Sequence, residues 1–169
     1  TDVAFVSKDS KVVEYKSGDM KVVDQNSEVT GDDVVAVYTY ADNETGDTVA
    51  TVYTEDALRA ALADEDISVV RLGANEIKIG ASEIEINRAV TLDFGANELN
   101  RDFNGSTYYI SVKASNVKIT ADKRNDDTPH ISSLNGIYIA DGISNVSINN
   151  LSVLASGIAV NIEGATSVT

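Results

Sequence analysis

The tetrapeptide Gly-Ala-Asn-Glu occurs twice in this chain, at Gly73–Glu76 and at Gly95–Glu98, each time in the same apolar frame. Leu72 and Ile77 flank the first copy; Phe94 and Leu99 flank the second. A turn repeated with its flanking strand residues, 22 positions on, marks a coil of fixed length and directs the reading towards a stacked-repeat architecture. Such folds bury one continuous core by stacking. Their functions reside in surface and length more than in a single enclosed pocket.

From residue 67 onward the pattern is strand, turn, strand. One ladder of apolar pairs runs Val70-x-Leu72, Val90-x-Leu92, Val117-x-Ile119, Val146-x-Ile148, Val168. Matching Val70 to Val90 gives a first step of 20, whereas matching Leu72 to Phe94 keeps the step of 22, so that register is open by two residues. A second ladder runs Ile84-x-Ile86, Ile110-x-Val112, Ile137-x-Ile139, Ile158-x-Val160. Each pair puts two apolar side chains on one face of a short strand. The approach to the first ladder also recurs, as Ala114-Ser115-Asn116-Val117, Ile143-Ser144-Asn145-Val146 and, more loosely, Ala165-Thr166-Ser167-Val168. Asn at a recurring turn is suited to an amide ladder along the stacking axis. The polar insertions Asn100–Thr107 and Ala121–Thr128 should loop outward. Parallel stacking explains these pairs better than a sandwich does. Val90, Leu92, Ile110, Val112, Val117, Ile119, Ile137, Ile139, Val146, Ile148, Ile158 and Val160 are expected to point inward.

Residues 1–53 read as a small, mostly antiparallel β segment, or the tail of a neighbouring module. The runs from Asp33 to Tyr40 and from Thr48 to Tyr53 are β-branched and aromatic, and a polar Gly-containing stretch separates them, the pattern of a hairpin. Val3–Val6, Val12–Tyr15 and Met20–Val23 are shorter strand candidates. One helix is expected, over 54–64: Thr54 is a good N-cap, Glu55 and Asp56 complement the dipole, and Ala57, Leu58, Ala61 and Leu62 share a face. Its place just before the first coil suits it to cover the open end of a solenoid core.

The stretch from about residue 54 to residue 169 resembles the right-handed parallel β-helix (pectate-lyase-like) superfamily. The run from Gly136 to Leu151 looks like a typical coil of that superfamily. The arrangement Ala57–Leu62, Val69–Leu72, Ile84–Leu92 is similar to the opening of β-helical modules in large bacterial cell-surface and S-layer-type proteins. The resemblance implies an all-β solenoid with an N-terminal capping helix, in a non-enzymatic, extracellular setting. It also brings an alternative. Polysaccharide lyases of the superfamily bind calcium through acidic residues and abstract a proton with an Arg, and the related polygalacturonases carry Asn-Thr-Asp, Asp-Asp, Gly-His-Gly and Arg-Ile-Lys elements. Asn125-Asp126-Asp127 is superficially similar to the carboxylate elements, with His130 three residues on. Asp126 and Asp127 lie in an insertion, His130 lacks flanking glycines, and Arg-Ile-Lys is absent.

Glycoside hydrolysis needs two carboxylates held at a fixed separation across the bond. Adjacent residues in a turn do not supply that, so Asp126 and Asp127 read as a solvated loop and no catalytic set is assigned. His130, beside Pro129, reads as a strand-edge residue; a lone His without Cys or a second His is a poor metal ligand. Asp42-Asn43-Glu44-Thr45-Gly46-Asp47 has a composition suited to Ca²⁺ through Asp42, Glu44 and Asp47, but lacks the length and distal Glu of an EF-hand, and hairpin turns are commonly this acidic. Tyr108 and Tyr109 must face opposite ways in a strand, leaving one exposed; an exposed Tyr is suited to stack a sugar ring, yet scattered surface aromatics are ordinary. Arg71, Arg88 and Arg101 are interleaved with acids and read as solvated charges outside the coils.

Thirteen Lys+Arg against 27 Asp+Glu give a net charge of −14, which argues against nucleic acid and anionic membrane surfaces as partners. The chain has no cysteine, and no apolar run approaches a membrane span. The expectation is a non-catalytic structural or adhesive module of a bacterial cell-surface protein. Its partners would be further copies, neighbouring domains of the same protein, or glycans. The alternatives are a polysaccharide-active lyase or hydrolase and a glycan-binding module. Gly164–Thr169 matches the approach to a fresh coil, so the expectation includes a fragment of a longer protein or a partner subunit over the last rung.

Overall fold

The computed structural model describes residues 2–7, 12–15, 20–22 and 34–41 as strand backbone, and residues 45–80, 82–101, 107–124 and 128–169. Five strands come first: β1 (Asp2–Ser7), β2 (Val12–Tyr15), β3 (Met20–Val22), β4 (Val34–Ala41) and β5 (Thr48–Val52). The helix α1 (Glu55–Ala63) follows. The remaining strands fall into rungs. The first is β6 (Val69–Leu72), β7 (Glu76–Ile79) and β8 (Ile84–Ile86); the second is β9 (Thr91–Asp93), β10 (Glu98–Arg101) and β11 (Tyr108–Val112). The third is β12 (Val117–Thr120), β13 (Ile131–Ser133) and β14 (Asn135–Ile139). The fourth is β15 (Ser144–Asn149), β16 (Val153–Ala155) and β17 (Val160–Ile162), and β18 (Thr166–Val168) opens a fifth.

The rungs stack in parallel as three sheets. The first is β6-β9-β12-β15-β18, the second β7-β10-β13-β16 and the third β8-β11-β14-β17. The result is a parallel β-solenoid of about five turns. β5 pairs in parallel with β6, so the first sheet continues through β5 and β4 into β1, β2 and β3. Within that early segment β1–β2, β2–β3 and β4–β5 are antiparallel and β1–β4 is parallel.

In-register stacking puts like on like. Ile84, Ile110 and Ile137 form one column, and Ile86, Val112 and Ile139 the next, all six fully buried. Val90, Leu92, Val117, Ile119 and Val146 join the same core, together with Ile77, Leu99 and Ile131 from the second sheet. The Gly-Ala-Asn-Glu frame holds its step of 22: Glu76 pairs with Glu98 and Ile77 with Leu99. The first ladder follows it, since Val70 pairs with Leu92 rather than standing level with Val90.

Three expected inward positions differ. Ile148 is half-buried, while Ile158 and Val160 are 48% and 42% exposed. The register explains part of this: Ile137 pairs with Val160 and Ile139 with Ile162, two residues beyond the expected match. A slip of one residue would turn every side chain to the other face, but a slip of two preserves the alternation and leaves no trace in the pattern. The rest follows from position. β16, β17 and β18 are edge strands among the described residues, so nothing described stacks on their far side.

The other end is covered. Thr54 is the N-cap of α1, its hydroxyl accepting from the Ala57 N–H at 3.3 Å, and Ala57, Leu58, Ala61 and Leu62 are buried in the solenoid core. The helix touches all three strands of the first rung. Its C-terminus carries no basic residue in the last turn and runs into Asp64-Glu65-Asp66, the wrong sign for the macrodipole. Arg88, between β8 and β9, supplies the missing cation. It donates from Nε to the Leu62 carbonyl at 2.8 Å and from Nη2 to the Ala61 carbonyl at 2.9 Å. Burial lowers its pKa, and Asp64 and Glu65 oppose that shift. Arg88 is thus a helix-capping residue rather than a solvated charge. Arg59 ties the same helix to the first rung through the Ser82 and Glu83 carbonyls.

The two copies of Gly-Ala-Asn-Glu need glycine for different reasons. Gly95 is left-handed, with φ +54, and a Cβ there would meet nothing closer than Asn97 Nδ2 at 3.8 Å. A Cβ on Gly73 would meet Thr51 Cγ2 at 2.6 Å and the Tyr53 ring at 2.7 Å. The Asn corner behaves as the sequence implies: Asn116 (φ 60) and Asn145 (φ 57) are left-handed, and Asn145 Nδ2 donates to Asn116 Oδ1 at 2.8 Å. Ser167 occupies the same conformation at φ 54, where a non-glycine residue other than Asn or Asp is strained.

Two expectations follow for stability. Ile139→Asp should cost about 4 kcal/mol or more, since a buried charge gains no partner, whereas Ile162→Asp one rung along the same column should cost well under half of that. Arg88→Ala should cost about 1–3 kcal/mol through lost capping, more than Arg71→Ala, whose pair with Asp93 is half-exposed. Denaturant midpoints for the four variants check both orderings.

Candidate functional site: the outer face of the third sheet

The strand β8 alternates Ile84 and Ile86 inward with Glu83 and Glu85 outward, and the register lays Ser111 directly beside Glu85. Lys113 follows Val112 on the same face. Its Nζ lies 2.5 Å from Glu85 Oε1 and 3.5 Å from Glu83 Oε1, and Ser111 Oγ donates to Glu83 Oε2 at 2.6 Å. Two carboxylates and a lysine therefore converge where the sequence reading expected no such set. The signal was available: once Ile84 is stacked on Ile110, Glu85, Ser111 and Lys113 must neighbour one another.

The electrostatics of this cluster are those of a closed ion pair. The Lys113 hydrogen bond holds the Glu85 carboxyl below its usual range, and Glu85 in turn raises the lysine. A general acid needs a carboxyl raised towards neutrality, and a general base lysine needs to be lowered. Both shifts run the other way. An open cleft of about 730 Å³ adjoins the cluster, between α1 and β8, with Arg59, Arg88, Glu83 and Glu85 in its wall. Those four side chains are already committed: Arg59 to Glu55 and the Ser82 loop, Arg88 to the helix carbonyls, the two glutamates to Lys113.

Further along the same face Tyr108 and Tyr138 stack, with ring centroids 5.2 Å apart and 29° between planes. Tyr138 Oη donates to Glu163 Oε2 at 2.7 Å, which raises the phenol pKa, and Asn161 Nδ2 donates to Tyr108 Oη at 2.9 Å. Tyr109 is buried in the core. The two neighbouring tyrosines thus face opposite ways, but Tyr109 and Ile110 are both buried, so the alternation of β11 breaks between them, and the outward Tyr108 finds Tyr138 as its ring partner.

His130, immediately before β13, is 2% exposed. Its Nδ1 accepts the Ser152 backbone N–H at 3.0 Å, which fixes the proton on Nε2 for donation to the Asp122 carbonyl at 3.0 Å. Phe94 meets the ring edge-on at 6.1 Å. The imidazole bridges three segments as a neutral group, and no signal in the sequence marked Asp122 and Ser152 as its partners. Asn125, Asp126 and Asp127 lie outside the described residues, as do Asp42, Asn43 and Glu44. Asp47 accepts from Ser68 Oγ at 3.0 Å. Arg71 Nε donates to Asp93 at 2.8 Å, and of Arg101 the backbone alone is described, in β10. Among the described residues no three His, Asp or Glu side chains gather as a metal-binding group, and no helix is long and apolar enough to cross a membrane.

No protein-family profile, curated protein or solved structure matches the chain.

Burial pushes the His130 imidazole below its usual pKa, against the hydrogen bond to Asp122. A depressed value in the folded state means that the unfolded chain takes up the proton first. His130 then contributes stability above about pH 6.5 that is lost as pH falls towards its folded pKa. Between about pH 7.5 and about pH 5 the wild-type chain should lose more stability than His130→Gln, measured by urea denaturation of both at each pH.

Proposed function

We propose that this chain is a non-catalytic structural or adhesive module of a bacterial cell-surface protein. It would belong to the surface-protein branch of the right-handed parallel β-helix (pectate-lyase-like) superfamily and work outside the cell. The observation that carries this reading is how the outward polar side chains are spent. Arg71 bonds Asp93, Asn100 bonds Glu76, Lys113 bonds Glu85, Asn145 bonds Asn116 and Tyr138 bonds Glu163. Each of these bonds runs to another rung along the axis. Side chains that would orient a substrate are instead used to brace the stack, which suits a rod better than a reaction site. The acidic, cysteine-free composition is compatible with an exposed setting.

A second reading, a glycan-binding module, is favoured by the Tyr108–Tyr138 pair on the same face. Asn161 and Glu163 of the next rung hydrogen-bond the two phenol oxygens and so hold both rings in place.

Pectin and related acidic polysaccharides incubated with the chain should yield neither unsaturated products nor new reducing ends. Turnover that disappears in Glu83→Gln and Lys113→Met would overturn the non-catalytic reading. Saturable glycan binding without turnover, weakened at least about tenfold by Tyr138→Ala, would select the second reading.

A further inference from the structure

Tyr108 and Tyr138 come from successive rungs but do not stand level: Tyr108 pairs with Asn135, and Tyr138 with Ser111. The rings close that offset by leaning together, with centroids 5.2 Å apart and 29° between planes. Both residues are half-buried, so each ring is packed along part of its surface and keeps the rest in solvent. The oxygens are held as well as the rings. Tyr108 Oη accepts from Asn161 Nδ2 at 2.9 Å, and Tyr138 Oη donates to Glu163 Oε2 at 2.7 Å. Asn161 and Glu163 are two residues apart and project to the same side of their rung. They therefore bring both phenol oxygens, with the ortho carbons beside them, to one place on the outer face.

Glu163 adds a chemical function to this arrangement. The bond that raises the Tyr138 pKa also gives the phenol proton an acceptor when the ring loses an electron. A phenol that sheds proton and electron together is oxidised more readily than one that must give up the electron alone. The chain has no cysteine with which to tie one rung to another.

We propose that Tyr108 and Tyr138 form an oxidative cross-linking site, joined ring to ring as dityrosine by a one-electron oxidant drawing on hydrogen peroxide, with Glu163 as proton acceptor. Each phenol gives up one electron. The Tyr138 proton passes to Glu163 and the Tyr108 proton to water. The two phenoxyl radicals carry spin on their ortho carbons, and a C–C bond forms between one Cε of each ring. Those two carbons then release their hydrogens as protons, and each oxygen takes a proton back, restoring both phenols. The net loss is two electrons and two protons, which reduce one hydrogen peroxide to two waters. The link closes residues 30 apart in the chain and fastens the second rung to the third.

The test treats the folded chain with a haem peroxidase and hydrogen peroxide. The chain mass should fall by two hydrogens, dityrosine fluorescence should appear, and peptide mapping should find Tyr108 linked to Tyr138 within one chain. Tyr108→Phe and Tyr138→Phe, which keep both rings and the fold, should each abolish the link. Tyr53→Phe, which removes a tyrosine 41% exposed elsewhere, should leave its yield unchanged. Glu163→Gln should slow coupling at least about tenfold. The linked chain should unfold at higher urea than the untreated one, because the link restricts the unfolded state. No dityrosine, a link that survives either Tyr108→Phe or Tyr138→Phe, a link between chains in place of one within the chain, or a rate indifferent to Glu163→Gln would each overturn the proposal. Polysaccharide turnover or glycan binding would leave these results unchanged, so this inference and the proposed function fail separately.

Discussion

Every rung of this solenoid is made dry by its neighbours. A single rung is a loop of three short strands with its apolar pairs open above and below, and only the next rung, about 4.8 Å away, removes that surface from water. The columns Ile84–Ile110–Ile137 and Ile86–Val112–Ile139 are therefore the interaction on which the rest depends. Their register decides which outward residues meet, so the Lys113–Glu85 pair, the Asn116–Asn145 amide bond and the Tyr108–Tyr138 stack are all consequences of how isoleucines align.

That dependence also says which parts of the fold were legible. The period-2 alternation and the repeated Asn corner come from local chemistry and located the strands of the first and third sheets and the amide ladder, while the Thr54 cap and helical spacing located the capping helix. The shift at Val160 and Ile162 was invisible because a displacement by two residues satisfies the same alternation. The candidate site was harder still. Glu83, Glu85, Ser111 and Lys113 gain meaning only when a register is applied to residues that each look like ordinary surface polarity. The partners of His130 were hidden for a different reason: Asp122 meets it through its backbone carbonyl, and Ser152, whose hydroxyl and N–H both meet it, lies a full rung away in sequence.

Arg88 shows how a local conflict is resolved at a distance. Ending a helix in Asp64-Glu65-Asp66 is unfavourable by itself, and the sequence around α1 contains no remedy. The remedy sits 26 residues on from Leu62, at the turn into the second rung. The guanidinium can reach the helix carbonyls only once the first rung has closed, so cap and coil stabilise each other. The Glu76–Glu98 stack, like charges in register, is handled similarly by Asn100 and Arg124.

The solenoid is covered by a helix at its first rung, and this cover gives the fold a direction in time as well as in space. Contacts between successive rungs span only some two to three dozen residues, so each rung can close soon after the one before it. The helix-covered first rung, with fully buried columns and the Arg88 clasp, is the natural seed. Growth then proceeds rung by rung from that seed, each new rung removing from water the apolar surface that the one before it leaves open.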